Sequence, residues 1–136
     1  MRVRAIVVWS FMIGLTLQGV EAGYASNPGD MERVQTTKAC QKCDLSGANL
    51  SFASLRGADL SGADLHGAYL NGAFLLGANL SAANLSGAVF GSAYLTGANL
   101  LGANLSGANL SEAIFDGATW TDGSRCQSGS IGECMK

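Results

Sequence analysis

Charge is scarce in this chain and nearly balanced. Eight Lys and Arg stand against ten Asp and Glu, a formal net charge of −2 in 136 residues. So weak a field of either sign does not support a surface built to bind or imitate nucleic acid. There is one histidine, His66, and no Ser/His/Asp arrangement, glycine-rich phosphate loop or supported acid–base pair surrounds it. His66 follows Asp64, but a solvated histidine in a variable slot accounts for it. No catalytic residue, cofactor site or metal site is expected. A run long enough to span a bilayer is also missing. The apolar stretch 5–20 is broken by Ser10, Thr16 and Gln18, whereas a spanning helix needs about twenty apolar residues.

That stretch has another reading. Arg2 and Arg4 precede it, and it ends at Val20-Glu21-Ala22. A basic start, an apolar middle and small residues at −3 and −1 describe a secretory signal peptide. Residues 1–22 are therefore read as a leader cleaved after Ala22, with an uncleaved anchor as the alternative. No cysteine closely follows the apolar run, which argues against a lipoprotein. Cleavage removes two Arg and one Glu, leaving six basic and nine acidic residues, a net −3. The expected location is periplasmic or extracellular, with no stable membrane span after cleavage. Residues 23–42 then read as a flexible lead-in and N-terminal cap, with a short helix expected over 30–38.

What the chain has in abundance is one five-residue phrase: Ala, Asn or Asp, Leu, Ser, Gly. It recurs sixteen times over residues 43–122. The apolar centres are Leu45, Leu50, Leu55, Leu60, Leu65, Leu70, Leu75, Leu80, Leu85, Phe90, Leu95, Leu100, Leu105, Leu110, Phe115 and Trp120. Ala stands two places before each centre, except that Cys43 opens the first repeat. A period of five matches neither a helix nor a flat strand, so it belongs to a solenoid.

The spacing has a physical meaning. In extended chain, residues two apart share a face, so Ala and the centre point inward together and the residue between them points out. The last two residues must turn a corner. Eleven of the sixteen repeats close with Gly, which tolerates the positive φ that corners require. Short extended sides joined by corners make a narrow prism with a Leu/Ala interior. A hexapeptide β-helix would need a period of six, which never appears.

The run "CDLSGANLSFASLRGADLSGADLHGAYL" resembles the pentapeptide repeat family, whose consensus is Ala-(Asp/Asn)-Leu-x-x. The resemblance implies an all-β chain: a right-handed quadrilateral β-helix with four repeats per coil, hence four coils. At about 4.8 Å per stacked strand the prism would stand roughly 19 Å tall. Residues 123–136 read as the C-terminal cap, where the repeat decays through Trp120 and the Asp122-Gly123 turn. The front "C-x-x-CDLSGANL" and the back "TWTDG…C…GSIGEC" are similar to exported bacterial members.

The four cysteines form a front pair, Cys40 and Cys43, and a back pair, Cys126 and Cys134. Four cysteines allow three pairings. Pairs at opposite ends of a prism roughly 19 Å tall cannot be bridged across, because bonded cysteines need Cα atoms within about 7 Å. Local staples Cys40–Cys43 and Cys126–Cys134 are expected. The alternative for the front pair is redox or metal work.

Function must lie on the outward residues. With four repeats per coil, residues twenty apart stack. Phe74, Tyr94 and Ile114 fall on one side; Tyr69 and Val89 fall on its neighbour. Phe52 and Leu76 add to these two sides. The other two sides carry Asp44, Asp64, Asn84 and Asn104, and Asp59, Asn79, Asn99 and Thr119. Two polar sides and two with an apolar stripe are thus expected. The stripe reads either as a contact surface or as an internal stacking ladder. The reading for the whole chain is a non-enzymatic binding or structural module whose partner is another protein or a second copy. A small exported redox or metal protein using Cys40 and Cys43 is one alternative. Nucleic-acid mimicry, as in gyrase-protecting members of the family, is another, and the low charge and leader argue against it.

Overall fold

The computed structural model describes residues 26–136; the leader expected at 1–22 lies outside them. Among the described residues one helix precedes the coil: α1, Pro28–Thr36. Its start follows from sequence. Asn27 is the N-cap, its side-chain oxygen accepting from the N–H groups of Gly29 and Asp30, and Pro28 opens the first turn, where no N–H is needed. Val34 is its buried residue, packed into the same core as the first coil. The helix begins two residues earlier and ends two earlier than the expected span.

The chain then winds as a four-sided β-helix. Parallel bridges join residues twenty apart, from Asp44 with Asp64 to Asn99 with Thr119. On each side the centre donates its N–H upward, as Leu65 does to the Asn84 carbonyl at 2.8 Å. The outward residue donates downward, as Asp64 does to the Cys43 carbonyl at 2.8 Å. Each corner is closed by the next Ala N–H on the centre's own carbonyl, as in Ala68 to Leu65 at 3.0 Å. We number the sides in chain order, starting with the centres Leu45, Leu50, Leu55 and Leu60.

The repeat's chemistry explains its consensus. Asn or Asp in the outward slot accepts the backbone N–H two residues on, so Asp44 holds Ser46 and Asn104 holds Ser106. The Ser hydroxyl donates to the same oxygen at 2.7 Å in both. These are side-chain turns that cap a corner. The corner itself imposes positive φ on whatever residue occupies it. Eleven Gly adopt it, and so do Lys42, Phe52, Ala82, Ser92 and Glu112 in the same slot.

Thirteen of the sixteen centres are buried. Leu105, Leu110 and Trp120 depart from the expected core and are only partly buried. The C-terminal cap explains two of them. Residues 123–136 lay antiparallel bridges on Ile114 and Thr119, covering the third and fourth sides. No such bridge covers the first and second sides, so Leu105 and Leu110 meet solvent. Trp120 instead stands edge-on to Phe115, ring centroids 5.2 Å apart. Buried Ser130 ties this cap together, donating to the Gln127 carbonyl and accepting the Met135 N–H.

The N-terminal boundary also differs from expectation. Ala39 bridges Asp59, and Cys40 donates its N–H to the Asp59 carbonyl. The coil therefore starts on the fourth side, one repeat before Cys43. The lead-in 23–42 is not a flexible segment up to residue 42: Cys40 fills a centre slot and Cys43 the following Ala slot. Neighbouring slots of this kind lie close, with Cα atoms 5.2 Å apart for this pair, and the two are bonded. Cys126 and Cys134 are likewise bonded, Cα atoms 5.0 Å apart.

Two predictions follow from packing and charge. Leu80→Ala, in the enclosed middle of the coil, should lose about 3 kcal/mol in urea unfolding, and Leu110→Ala clearly less; equal losses would mean the last coil is as closed as the middle. Asp59 has its carboxyl held below the usual 3.8, first by the Ser61 hydroxyl and then by the Ser61 N–H, against opposing desolvation, with a lesser hydrogen bond from Gln41. A depressed folded pKa stabilises above the unfolded value and is lost as pH falls through the folded one. Acid unfolding below about pH 4 should therefore be shallower in Asp59→Asn, and an identical acid limb would remove Asp59 from the account.

Candidate functional site

The aromatic residues stand on the second and third sides, in slots that the coil could have filled otherwise. Tyr69, Phe74, Val89, Tyr94 and Ile114 occupy the outward slot where Asn or Asp caps a corner elsewhere. None of them carries an acceptor able to hold the N–H two residues on. Five corners thus forgo the capping bond that Asp44, Asp59, Asp64 and six Asn supply.

The third side is a ladder. The Phe74 and Tyr94 rings stack with centroids 5.1 Å apart and planes 2° apart. The Arg56 guanidinium carbon lies 5.8 Å from the Phe74 centroid, placing a cation at the lower end of the stack. Ile114 bridges Tyr94 above. On the second side Tyr69 bridges Val89.

Exposure divides the seven residues. Phe52 is 73% exposed, Tyr69 52% and Tyr94 39%. Phe74, Leu76, Val89 and Ile114 are half-buried, not open as expected. A stacked ladder of Phe74 on Tyr94 is thus present, and Phe52, Tyr69 and Tyr94 keep much of their rings in solvent.

Phe52 is one of five residues other than glycine in a corner slot. It occupies a corner slot at φ 60, where a side chain costs about 1–2 kcal/mol relative to glycine. Its ring lies over the Gly72 corner, where an added Cβ would come within 2.5 Å of it, so a side chain at Gly72 would have to displace the ring. The ring nevertheless remains largely in solvent.

The other sides are polar ladders with one exception. Asn84 donates to Asp64 at 3.1 Å, and Asn79 to Asp59 at 3.4 Å. His66 donates its N–H to Asp64 and shares a 2.9 Å hydrogen bond between Nδ1 and the Ser86 hydroxyl. It sits within this ladder. Leu101 breaks the fourth side, 49% exposed, and sequence reasoning missed it. The signal was present: Leu stands where Ser61 and Ser81 stand in the coils below. Ile131 and Met135 are also exposed, on the C-terminal cap.

A cleft of about 510 Å³ separates α1 from the first rungs of the second and third sides. Lys38 is the ionisable residue lining it, beside Gln35, Asn49, Ser51 and Ser54. That set offers no acid–base couple. Charge is absent from the middle of the chain, since residues 65–111 contain no Asp, Glu, Lys or Arg. Among the described residues one group brings three candidate ligand atoms together, Asp30, Cys40 and Cys43, with the two sulfurs joined in the disulfide. No helix among the described residues is long and apolar enough to cross a membrane.

Comparison with known proteins agrees with this geometry. The family model described as pentapeptide repeats matches in eight copies, over residues 43–81, 58–91, 75–111 and 83–119. No curated protein matches the chain. Among solved structures, alr5209, a pentapeptide repeat protein from Nostoc PCC 7120, is 38% identical with a TM-score of 0.57, covering 73% of this chain and 79% of that one. HetL, a pentapeptide repeat protein from Nostoc sp. strain PCC 7120 involved in heterocyst differentiation regulation, is 41% identical, covering 64% of this chain and 40% of that one, TM-score 0.44. A pentapeptide repeat protein from the cyanobacterium Cyanothece 51142 is 31% identical, covering 66% and 82%, TM-score 0.40. The coil is a right-handed quadrilateral β-helix, and the chain belongs to the pentapeptide repeat family.

Proposed function

We propose that the protein is a non-enzymatic binding module that works outside the cytoplasm and engages another protein through the second and third sides of its prism. Pentapeptide repeat proteins are generally non-enzymatic modules of structure and protein interaction. The observation that carries the finer reading is the exchange of capping Asn and Asp for apolar residues on these two sides alone, together with Phe52 held exposed at positive φ. Both features weaken the coil locally and add apolar area to its surface. Exposed aromatics clustered on a rigid face suit a protein partner, because large rings bury much area with little conformational freedom to lose. The charge-free middle of the chain argues against a nucleic-acid partner.

Extracytoplasmic action is supported by the leader-like residues 2–22 and by two disulfides with no free cysteine among the described residues. Bonded cysteines persist in oxidising compartments. The mature chain recovered from an extracytoplasmic fraction should begin at Gly23; recovery from the cytosol with Met1 intact would remove this part of the reading.

The surface makes two predictions. Phe52→Gly should raise stability by about 1 kcal/mol, because glycine takes the corner conformation without strain; a loss of stability would make the ring structural. In solution the oxidised protein should be monomeric, as should Phe74→Ser/Tyr94→Ser. A dimer that the double variant dissolves would instead make a second copy the partner. A monomer that the variant destabilises strongly would reduce the third side to a stacking ladder.

A further inference from the structure

The front cysteine pair has a carboxylate beside it, that of Asp30, which also receives the Asp44 N–H at the open edge of the first coil. The Cys40 and Cys43 sulfurs and a carboxylate oxygen of Asp30 all lie within 4.8 Å of one another. Both sulfurs are buried, Cys40 at 0% and Cys43 at 3% exposure, and Asp30 is partly buried. The carboxylate is aimed: its Oδ2 accepts the Asp44 N–H at 2.9 Å, and Asp30 itself is set by the Asn27 cap at the start of α1. The Asp30 carbonyl lies 3.4 Å from the Cys40 sulfur.

We propose that Asp30, Cys40 and Cys43 form a redox-gated metal site, a disulfide when oxidised and a site for a zinc-like divalent cation when reduced. The spacing C-x-x-C places two thiolates on one turn, as zinc centres commonly use them. Zinc sits at about 2.3 Å from sulfur and 2.0–2.2 Å from a carboxylate oxygen; the sulfurs, joined in the disulfide, must part to roughly 3.7 Å to share a tetrahedral ion, and the Asp30 oxygen already lies within 4.8 Å of both. The hydrogen bond from Asp44 would hold the carboxylate in orientation, as outer partners of metal ligands do. Two thiolates and one carboxylate carry −3, which a divalent ion reduces to −1 inside a buried site. Three protein ligands leave a fourth position for solvent.

The redox step balances with a dithiol as reductant. One of its thiolates attacks a cysteine sulfur, the S–S bond breaks, and its second thiol resolves the mixed disulfide. Two electrons pass to the protein, leaving two cysteine thiols and an oxidised, cyclic reductant. Metal binding then releases two protons, one from each thiol. Because the sulfurs are buried beneath α1, attack requires the helix to lift from the coil. The two forms fasten the cap differently. The disulfide links residues three apart within one turn and leaves α1 held by packing and hydrogen bonds. A metal on Asp30 ties α1 to the first coil.

The test uses Cys126→Ala/Cys134→Ala as background, so that the front pair is the one in play. The protein is reduced with a dithiol, freed of it under anaerobic conditions, and titrated with zinc alone. Expected are one zinc per reduced chain, about two protons released, a raised melting temperature, and no binding by the oxidised chain. Asp30→Asn, which keeps an acceptor for the Asp44 N–H, should weaken binding about tenfold or more with the oxidised fold unchanged by circular dichroism. If the background fails to fold, the four-cysteine chain and its Asp30→Asn variant give the same comparison. Absence of binding to the reduced, folded protein, or equal affinity in Asp30→Asn, overturns the proposal.

Discussion

Everything in this molecule depends on registry at twenty residues. Each centre must give its N–H to the residue one coil above, and each outward residue must give its own to the coil below. A Leu in the interior then rests on the Leu twenty places away. Such a ladder has no purely local minimum, because a single repeat buries neither its Leu nor its backbone groups. The pentapeptide is therefore stable only as part of a stack, and the stack tolerates wide variation outside. What the interior demands is narrow: a small residue, a large apolar one, and a corner able to take positive φ.

That division of labour explains where function can be written. Inward slots are occupied by packing, and the corner slot is constrained by backbone geometry. The outward slot has a default use, in which Asn or Asp caps its own corner. Replacing it with Tyr69, Phe74, Val89, Tyr94 or Ile114 forgoes a hydrogen bond and gains surface, and the exchange is confined to two adjacent sides. Phe52 goes further by placing a ring in a strained corner. These are departures from the rule of the coil, and they stand out because the rule is otherwise so regular.

The two ends obey different physics. A solenoid end exposes a ring of backbone groups and the top of its core, so each end needs a lid. At the front, α1 and the Cys40–Cys43 turn supply it, with sulfur standing in the slots of Leu and Ala. At the back, residues 123–136 lay antiparallel segments on the third and fourth sides and leave the first and second partly open. The disulfides belong to these lids, where the repeat can no longer supply neighbours. The meeting of Asp30 with the two sulfurs arises for the same reason: only at an end does a residue from outside the repeat meet a pair of interior slots.

Read in order, the repeat was legible from residues alone because its period of five is local and was carried without a break over eighty residues. The inward Ala and centre and the turning Gly follow from that period and from strand geometry, while four repeats per coil came from the family resemblance. So did the two apolar sides, once residues twenty apart were stacked. Other features depended on contacts between distant parts of the chain. Phe74, Val89 and Ile114 proved half-buried, a matter of side-chain packing between coils. Leu105 and Leu110 proved partly open because the cap reaches over two sides only. Cys40 proved to be a core residue because Ala39 pairs with Asp59, and Asp30 came to the sulfurs through the placement of α1. Periodicity determines what a repeat does to its neighbour; where the repeat stops, only the tertiary contacts of the flanking chain decide what is covered, what is exposed and what meets.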